Sequence, residues 1–168
     1  MKRLLSVLLV ALLFTVGCAK AGGKQLTPEE MTTLYKTAIE GARTAQENEG
    51  TPVITTADDE MAEMVFPLIG FKPEYAQAYA ISVSPWNISA YGIAVITPKE
   101  DQKQAVLDGL NTFVENQRKA FENYLPEGYE NAKNAKVSTL DDGTVILVMC
   151  PSQDDVLKKI TDTIAGKK

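Results

Sequence analysis

The sequence predicts an α+β domain built on a four-stranded antiparallel sheet, and three observations carry that prediction. From Gln77 the apolar period becomes two: Tyr79, Ile81 and Val83 share one face, and the alternation resumes from Ile88 to Thr97 after Pro85-Trp86-Asn87 interrupts it. Val137–Leu140 and Thr144–Cys150 then flank Asp142-Gly143, the strongest short hairpin signal in the chain. Within the second of these strands, Val145-Ile146-Leu147-Val148-Met149 is apolar on both faces, as a central strand requires.

Two hairpins are thus each followed by a helix. The connection between them must return the chain along the sheet. A right-handed crossover that leaves room for the apolar strand gives the order 1-2-4-3. The more polar Val137–Leu140 then lies at an edge.

The helices follow from caps and spacing. Thr27-Pro28-Glu29-Glu30 opens the first, with Thr as N-cap, Pro at N1 and Glu at N3. Met31, Leu34, Tyr35, Ala38, Ile39 and Ala42 follow at helical spacing, and the helix should fade before Asn48. Thr56-Ala57-Asp58-Asp59 reads as the cap of a second helix that Pro67 limits. Pro98 and Lys99 open a long helix running to about Tyr124, with Leu110, Phe113, Val114 and Phe121 inward and Gln117 inside the stripe. Such a Gln either sits half-exposed at the stripe edge or, if buried, needs partners. Ala90, Gly92 and Ala94 make one strand face small enough for a helix to approach closely. Ser152-Gln153-Asp154-Asp155 caps a last helix with Val156, Leu157, Ile160 and Ile164 inward.

Before the domain stands an export signal. Lys2 and Arg3 precede an apolar run from Leu4 to Val16, shorter than the roughly 20 residues a bilayer span needs. The run ends Phe14-Thr15-Val16-Gly17-Cys18, which resembles the bacterial lipobox. That resemblance implies diacylglycerol on the Cys18 sulfur and cleavage after Gly17. The expected organisation is a lipoprotein signal peptide over 1–17, a small polar tether over 18–26 and one α+β domain over 27–168. Localisation follows as the extracytoplasmic face of a cell membrane.

Charge and composition bound the chemistry. Lys2 and Arg3 lie in the leader and no acid does, so the remainder carries 15 basic and 22 acidic residues, a net of −7. Such a surface repels nucleic acid and anionic headgroups. The chain has no histidine, which removes the Ser-His-Asp and Cys-His arrangements and His-ligated zinc together. No phosphate-binding glycine loop is present, and no cofactor or metal is expected. The acids at Asp58-Asp59-Glu60, Asp141-Asp142 and Asp154-Asp155 sit where caps and turns want carboxylates. Cys150, without an intrachain partner if Cys18 is lipidated, reads as a small buried hydrophobe; the sharper alternative is a thiol activated by the following helix N-terminus.

Several motifs, taken with the lipobox, resemble a family of uncharacterised lipoproteins found mostly in Gram-positive Firmicutes and catalogued only as a domain of unknown function. They are Asp58-Asp59-Glu60-Met61, Ala90-Tyr91-Gly92-Ile93-Ala94-Val95, Gln117-Arg118-Lys119-Ala120 and Tyr124-Leu125-Pro126-Glu127. The resemblance implies the fold and the location and assigns no catalytic residue.

The functional expectation is a non-catalytic interaction or ligand-binding module held at the membrane by Cys18, with an unidentified protein or small-molecule partner. The alternative is a small cell-surface enzyme using Cys150 or carboxylates, drawn from Asp58, Asp59, Glu60 and Glu63 with Gln117. The candidate contact patch is Trp86, Asn87 and Tyr91: Pro85 takes the chain out of the sheet, and an aromatic at a hairpin tip either folds back onto the core or meets a partner.

Overall fold

A computed structural model describes residues 26–86 and 88–167. The expected signal peptide, Cys18, most of the expected tether and Asn87 lie outside the described residues. The described chain runs α1 (Pro28–Ala42), α2 (Ala45–Gly50), α3 (Ala62–Leu68), β1 (Ala76–Val83), β2 (Gly92–Pro98), α4 (Lys103–Phe121), α5 (Pro126–Lys133), β3 (Lys136–Thr139), β4 (Val145–Met149) and α6 (Gln153–Ile164). The strands form one antiparallel sheet of order β1-β2-β4-β3, as the apolar character of β4 predicts.

Alternation along the strands divides the interior in two. Ala80, Ile93, Val95, Ile146 and Val148 face α1 and α6. Ile81, Ala94, Ile96, Leu147 and Met149 face α3, α4 and α5. The sheet is therefore a middle layer covered on both sides, and all of β4 is buried. The outer edge of β1 is partly closed by Ile54, which exchanges two backbone hydrogen bonds with Ile81 (2.7 and 2.9 Å). Gly92 permits the close approach expected of its strand face: a Cβ there would lie 3.0 Å from the Phe113 ring on α4.

Local chemistry explains the ends. Thr27 and Glu30 form a reciprocal capping box on α1 (3.2 and 2.8 Å). Thr44 and Glu47 repeat it on α2, a short helix that continues the chain where the sequence suggested fading. The Thr56–Asp59 segment is a turn rather than a cap; Asp59 accepts from the Met61 amide at 2.9 Å, and α3 begins only at Ala62 with Pro67 inside it. Ser152 is in the left-handed region (φ 55°) and makes no side-chain cap.

The long helix expected from Pro98 to about Tyr124 is shorter at both ends, and a separate helix that the sequence did not predict follows it. A 3-10 turn covers Glu100–Gln102, α4 ends at Phe121, and α5 starts afresh with Pro126 at N1. Gly128 lies inside α5. It is required there because a Cβ would come within 2.6 Å of the Phe121 ring.

Candidate functional site

The strand directions give the sheet two distinct ends. At one end lie the β1–β2 loop, the C-terminus of β4, the C-terminus of α1 and the N-termini of α5 and α6. At the other lie Leu26, the start of α1, the C-termini of β2 and α6 and the β3–β4 turn.

At the first end the β1–β2 loop leaves Trp86 59 % exposed and Ile88 74 % exposed. Among the described residues the Trp86 backbone is held only by two 3.4 Å contacts with the Ser84 hydroxyl. Trp86 therefore does not cap the core. Tyr91 corrects the expected patch: it is 7 % exposed and turned inward, with Arg43 Nη1 donating to its hydroxyl at 3.1 Å. Nothing in the sequence near Tyr91 signals this, because the partner lies 48 residues upstream. The exposed large hydrophobic side chains at this end are Trp86 and Ile88, with Tyr124 (66 % exposed) beyond the C-terminus of α4.

Arg43 is the hub beneath that loop. Its guanidinium donates from Nε to Asn48 Oδ1 (2.5 Å), from Nη1 to Ser82 Oγ (2.6 Å) and from Nη2 to the Thr51 carbonyl (2.9 Å). Every acceptor is neutral, so the group functions as a strut joining α1, α2 and β1 rather than as half of an ion pair. Burial is the main reason that the Tyr91 phenol is pushed up to about 12, against the lowering effect of Arg43.

Cys150 is fully buried between the sheet and α6. Burial, helped by the Glu47 carboxylate, pushes its thiol up to about 12. This is the opposite of an activated nucleophile. The native protein is expected to leave Cys150 unmodified by a thiol reagent at pH 8 and to expose it only on denaturation; fast modification of the folded protein would contradict the packing. Cys150 and Tyr91 are both neutral in the folded state and acquire charge more easily when unfolded. Their stabilising contribution is therefore complete below pH 9 and declines as pH rises toward 12.

The remaining candidates do not converge. Asp58, Asp59, Glu60 and Glu63 belong to the turn before α3 and its first residues. Gln117 is 7 % exposed inside the α4 stripe, and its side chain makes no hydrogen bond among the described residues. None of these side chains lines a groove described below, and among the described residues no three potential metal ligands cluster.

At the opposite end three hydroxyls meet from three elements. Tyr35 of α1 lies 2.6 Å from Thr97 of β2, Thr97 lies 3.1 Å from Thr144, and Tyr35 lies 3.4 Å from Thr144. Tyr35 and Thr97 line a groove of about 540 Å³ whose walls include Leu26, Met31, Leu34 and Ile164, with Thr144 fully buried behind them. No single stretch of sequence carries this arrangement, since each residue contributes one hydroxyl from a different element.

Residues 54–150 match the profile of DUF4358, a domain of unknown function. The chain belongs to this family. The DUF4358 segment begins at Ile54, the residue that bridges to β1, and ends at Cys150, just after β4. It contains the whole sheet with α3, α4 and α5. The two helices on the other face, α1 and α6, lie outside it, and with them Arg43 and Tyr35. No curated protein and no solved structure matches the chain.

Proposed function

We propose that this DUF4358 protein is an extracytoplasmic, lipid-anchored lipoprotein of Gram-positive type that acts as a non-catalytic interaction module, with the β1–β2 loop as its contact element. The observation that carries the reading is the exposure of Trp86 and Ile88 at the tip of the β1–β2 loop, whose last residues Ala90 and Tyr91 turn back into the core. Large exposed aromatics are favoured at interface centres because they bury much area with few rotors. The dispersal of the acids and the raised, buried Cys150 thiol support a non-catalytic role. The anchor reading rests on the lipobox-like run ending at Cys18.

Orientation adds support. The described chain starts at Leu26 beside the hydroxyl cluster, and α1 rises over its 15 residues by roughly 22 Å toward Arg43 and the loop. A chain tethered at Cys18 would therefore present Trp86 on the side away from the bilayer.

The test uses the full chain in its own cell, with a photoreactive residue replacing Trp86. A discrete adduct is expected from position 86 and not from Lys119, an exposed control on α4. No adduct, or the same adduct from both positions, would sink the contact reading. Separately, Cys18→Ser is expected to release the protein from membranes or leave an uncleaved precursor, since stable attachment needs more than one acyl chain. Unchanged fractionation and mobility would overturn the anchor and leave the contact reading standing.

A further inference from the structure

We propose that a second groove, beside the β1–β2 loop, takes a cationic side chain of the partner, a lysine or an arginine, with an apolar neighbour lying on Trp86 and Ile88. This names the partner chemistry of the contact reading above and rests on it. The groove, of about 500 Å³, lies between the start of α5 and the connection from β4 to α6, and it is lined by Pro126, Glu127, Glu130, Asn131 and Pro151. It adjoins the loop, because Asn131 Nδ2 donates to the Ala90 carbonyl at 3.5 Å. Ala90 stands two residues after Ile88, a reach of at most roughly 7 Å. The exposed tip of the loop and the groove therefore belong to one surface.

Hydrogen-bond accounting sets the chemistry of the occupant. Neither Pro126 nor Pro151 has a backbone N–H. The one side-chain amide in the lining, that of Asn131, donates to the loop. Glu127 and Glu130 only accept. The side chains of the groove thus present acceptors and apolar surface. Glu130 is already partly satisfied, by Lys133 at 3.3 Å and by Asn134 at 3.2 Å. Glu127 makes no ion pair and no side-chain hydrogen bond among the described residues, so its carboxylate is the acceptor left for a partner.

Charge points the same way. No lysine or arginine lines the groove, and the loop from Ser84 to Tyr91 carries no charged residue. Glu127 lies in the first turn of α5 and offsets the positive end of that helix, so an anion finds no net attraction there. With the chain carrying a net of −7 beyond the leader, an acidic peptide or an anionic bilayer is repelled. A lysine or arginine matches both halves of the lining: its methylene stem packs on the two prolines while its head donates to Glu127.

Trp86 is the only tryptophan, so its emission reports on this surface directly. The test titrates the full chain, in uncharged detergent micelles, with a short tryptophan-free peptide in which two arginines flank a leucine. A saturating blue shift is expected as the leucine covers Trp86. The same peptide with glutamine or glutamate in place of arginine should produce none. Glu127→Gln should weaken binding of the arginine peptide about fivefold, the upper range for an exposed ion pair. Asp141→Asn, which removes an exposed acid at the opposite end, should change it by less than about twofold. Cys150 staying inert to a thiol reagent shows the fold intact in each variant. No saturating shift, equal binding of the glutamine or glutamate peptide, or equal weakening by Asp141→Asn would each overturn the proposal. The photoreactive residue at position 86 separates the two readings. A cellular adduct that Glu127→Gln leaves undiminished overturns the cationic partner and leaves the contact loop standing. Absence of any adduct sinks the contact loop, while peptide binding that depends on Glu127 still supports the cation site.

Discussion

Leu147→Ala is expected to cost about 2–5 kcal/mol in chemical denaturation of the purified protein. Leu147 is fully buried at the centre of β4, with Ala94 of β2 beside it on one side and Val137 of β3 on the other. Its cross-strand neighbours are too small or too firmly held to close the void, so both the lost transfer energy and the cavity count against the variant. Leu140→Ala gives the comparison. Leu140 lies just past the end of β3 and is only partly buried, so its loss should cost clearly less. The opposite ranking would mean that β4 is not the strand around which the sheet is packed.

Arg43→Met is the second large effect. Methionine keeps much of the apolar stem but removes all four donated hydrogen bonds at once. Hydrogen bonds from a charged group contribute roughly 1.5–3 kcal/mol each, and they are not additive within one network. A loss of about 3 kcal/mol is therefore expected, chiefly because the buried Tyr91 hydroxyl and the Asn48 side-chain oxygen lose the Arg43 donor, while the Thr51 carbonyl keeps only the Ser82 hydroxyl. Tyr91→Phe should cost only about 1 kcal/mol, since the guanidinium keeps its other three acceptors. Equal losses in the two variants would show that the strut works only through Tyr91. A loss below about 0.5 kcal/mol in Arg43→Met would show that water replaces the network at no cost.

What could be read from the sequence was whatever is encoded by a short period or a local turn. The apolar run at Val145–Met149 and the Asp142-Gly143 turn suffice for the strand order, because only one placement buries both faces of β4. The α1 cap was legible for the same reason: its two partners are three residues apart. Tyr91 was misplaced because its fate depends on Arg43, far away in sequence. The end of α4 near Tyr124 was legible, but α5 was hidden because Gly128 reads as a breaker in isolation and as a packing necessity only beside Phe121. The groove at the Leu26 end was invisible for a stronger reason. Its lining joins Tyr35 and the first turns of α1 to Thr97 of β2 and the last turn of α6, so it exists only once the chain has closed.

The central position of β4 also governs the order in which the molecule can assemble. β1 and β2 are joined by a short loop and can pair early, but β2 then waits for a strand that arrives about fifty residues later, after α4 and α5 have been laid down. Closing so long a loop is slow relative to hairpin formation. During that interval one side of β2 presents unpaired backbone and the apolar Ile93, Val95 and Ile96. The β3–β4 hairpin of a second copy is chemically identical to the one awaited and can add there first. At high concentration the refolding chain is thus expected to exchange its β3–β4 hairpins between molecules, with the segment between α4 and α5 as the hinge, and dilution should restore the monomeric pairing.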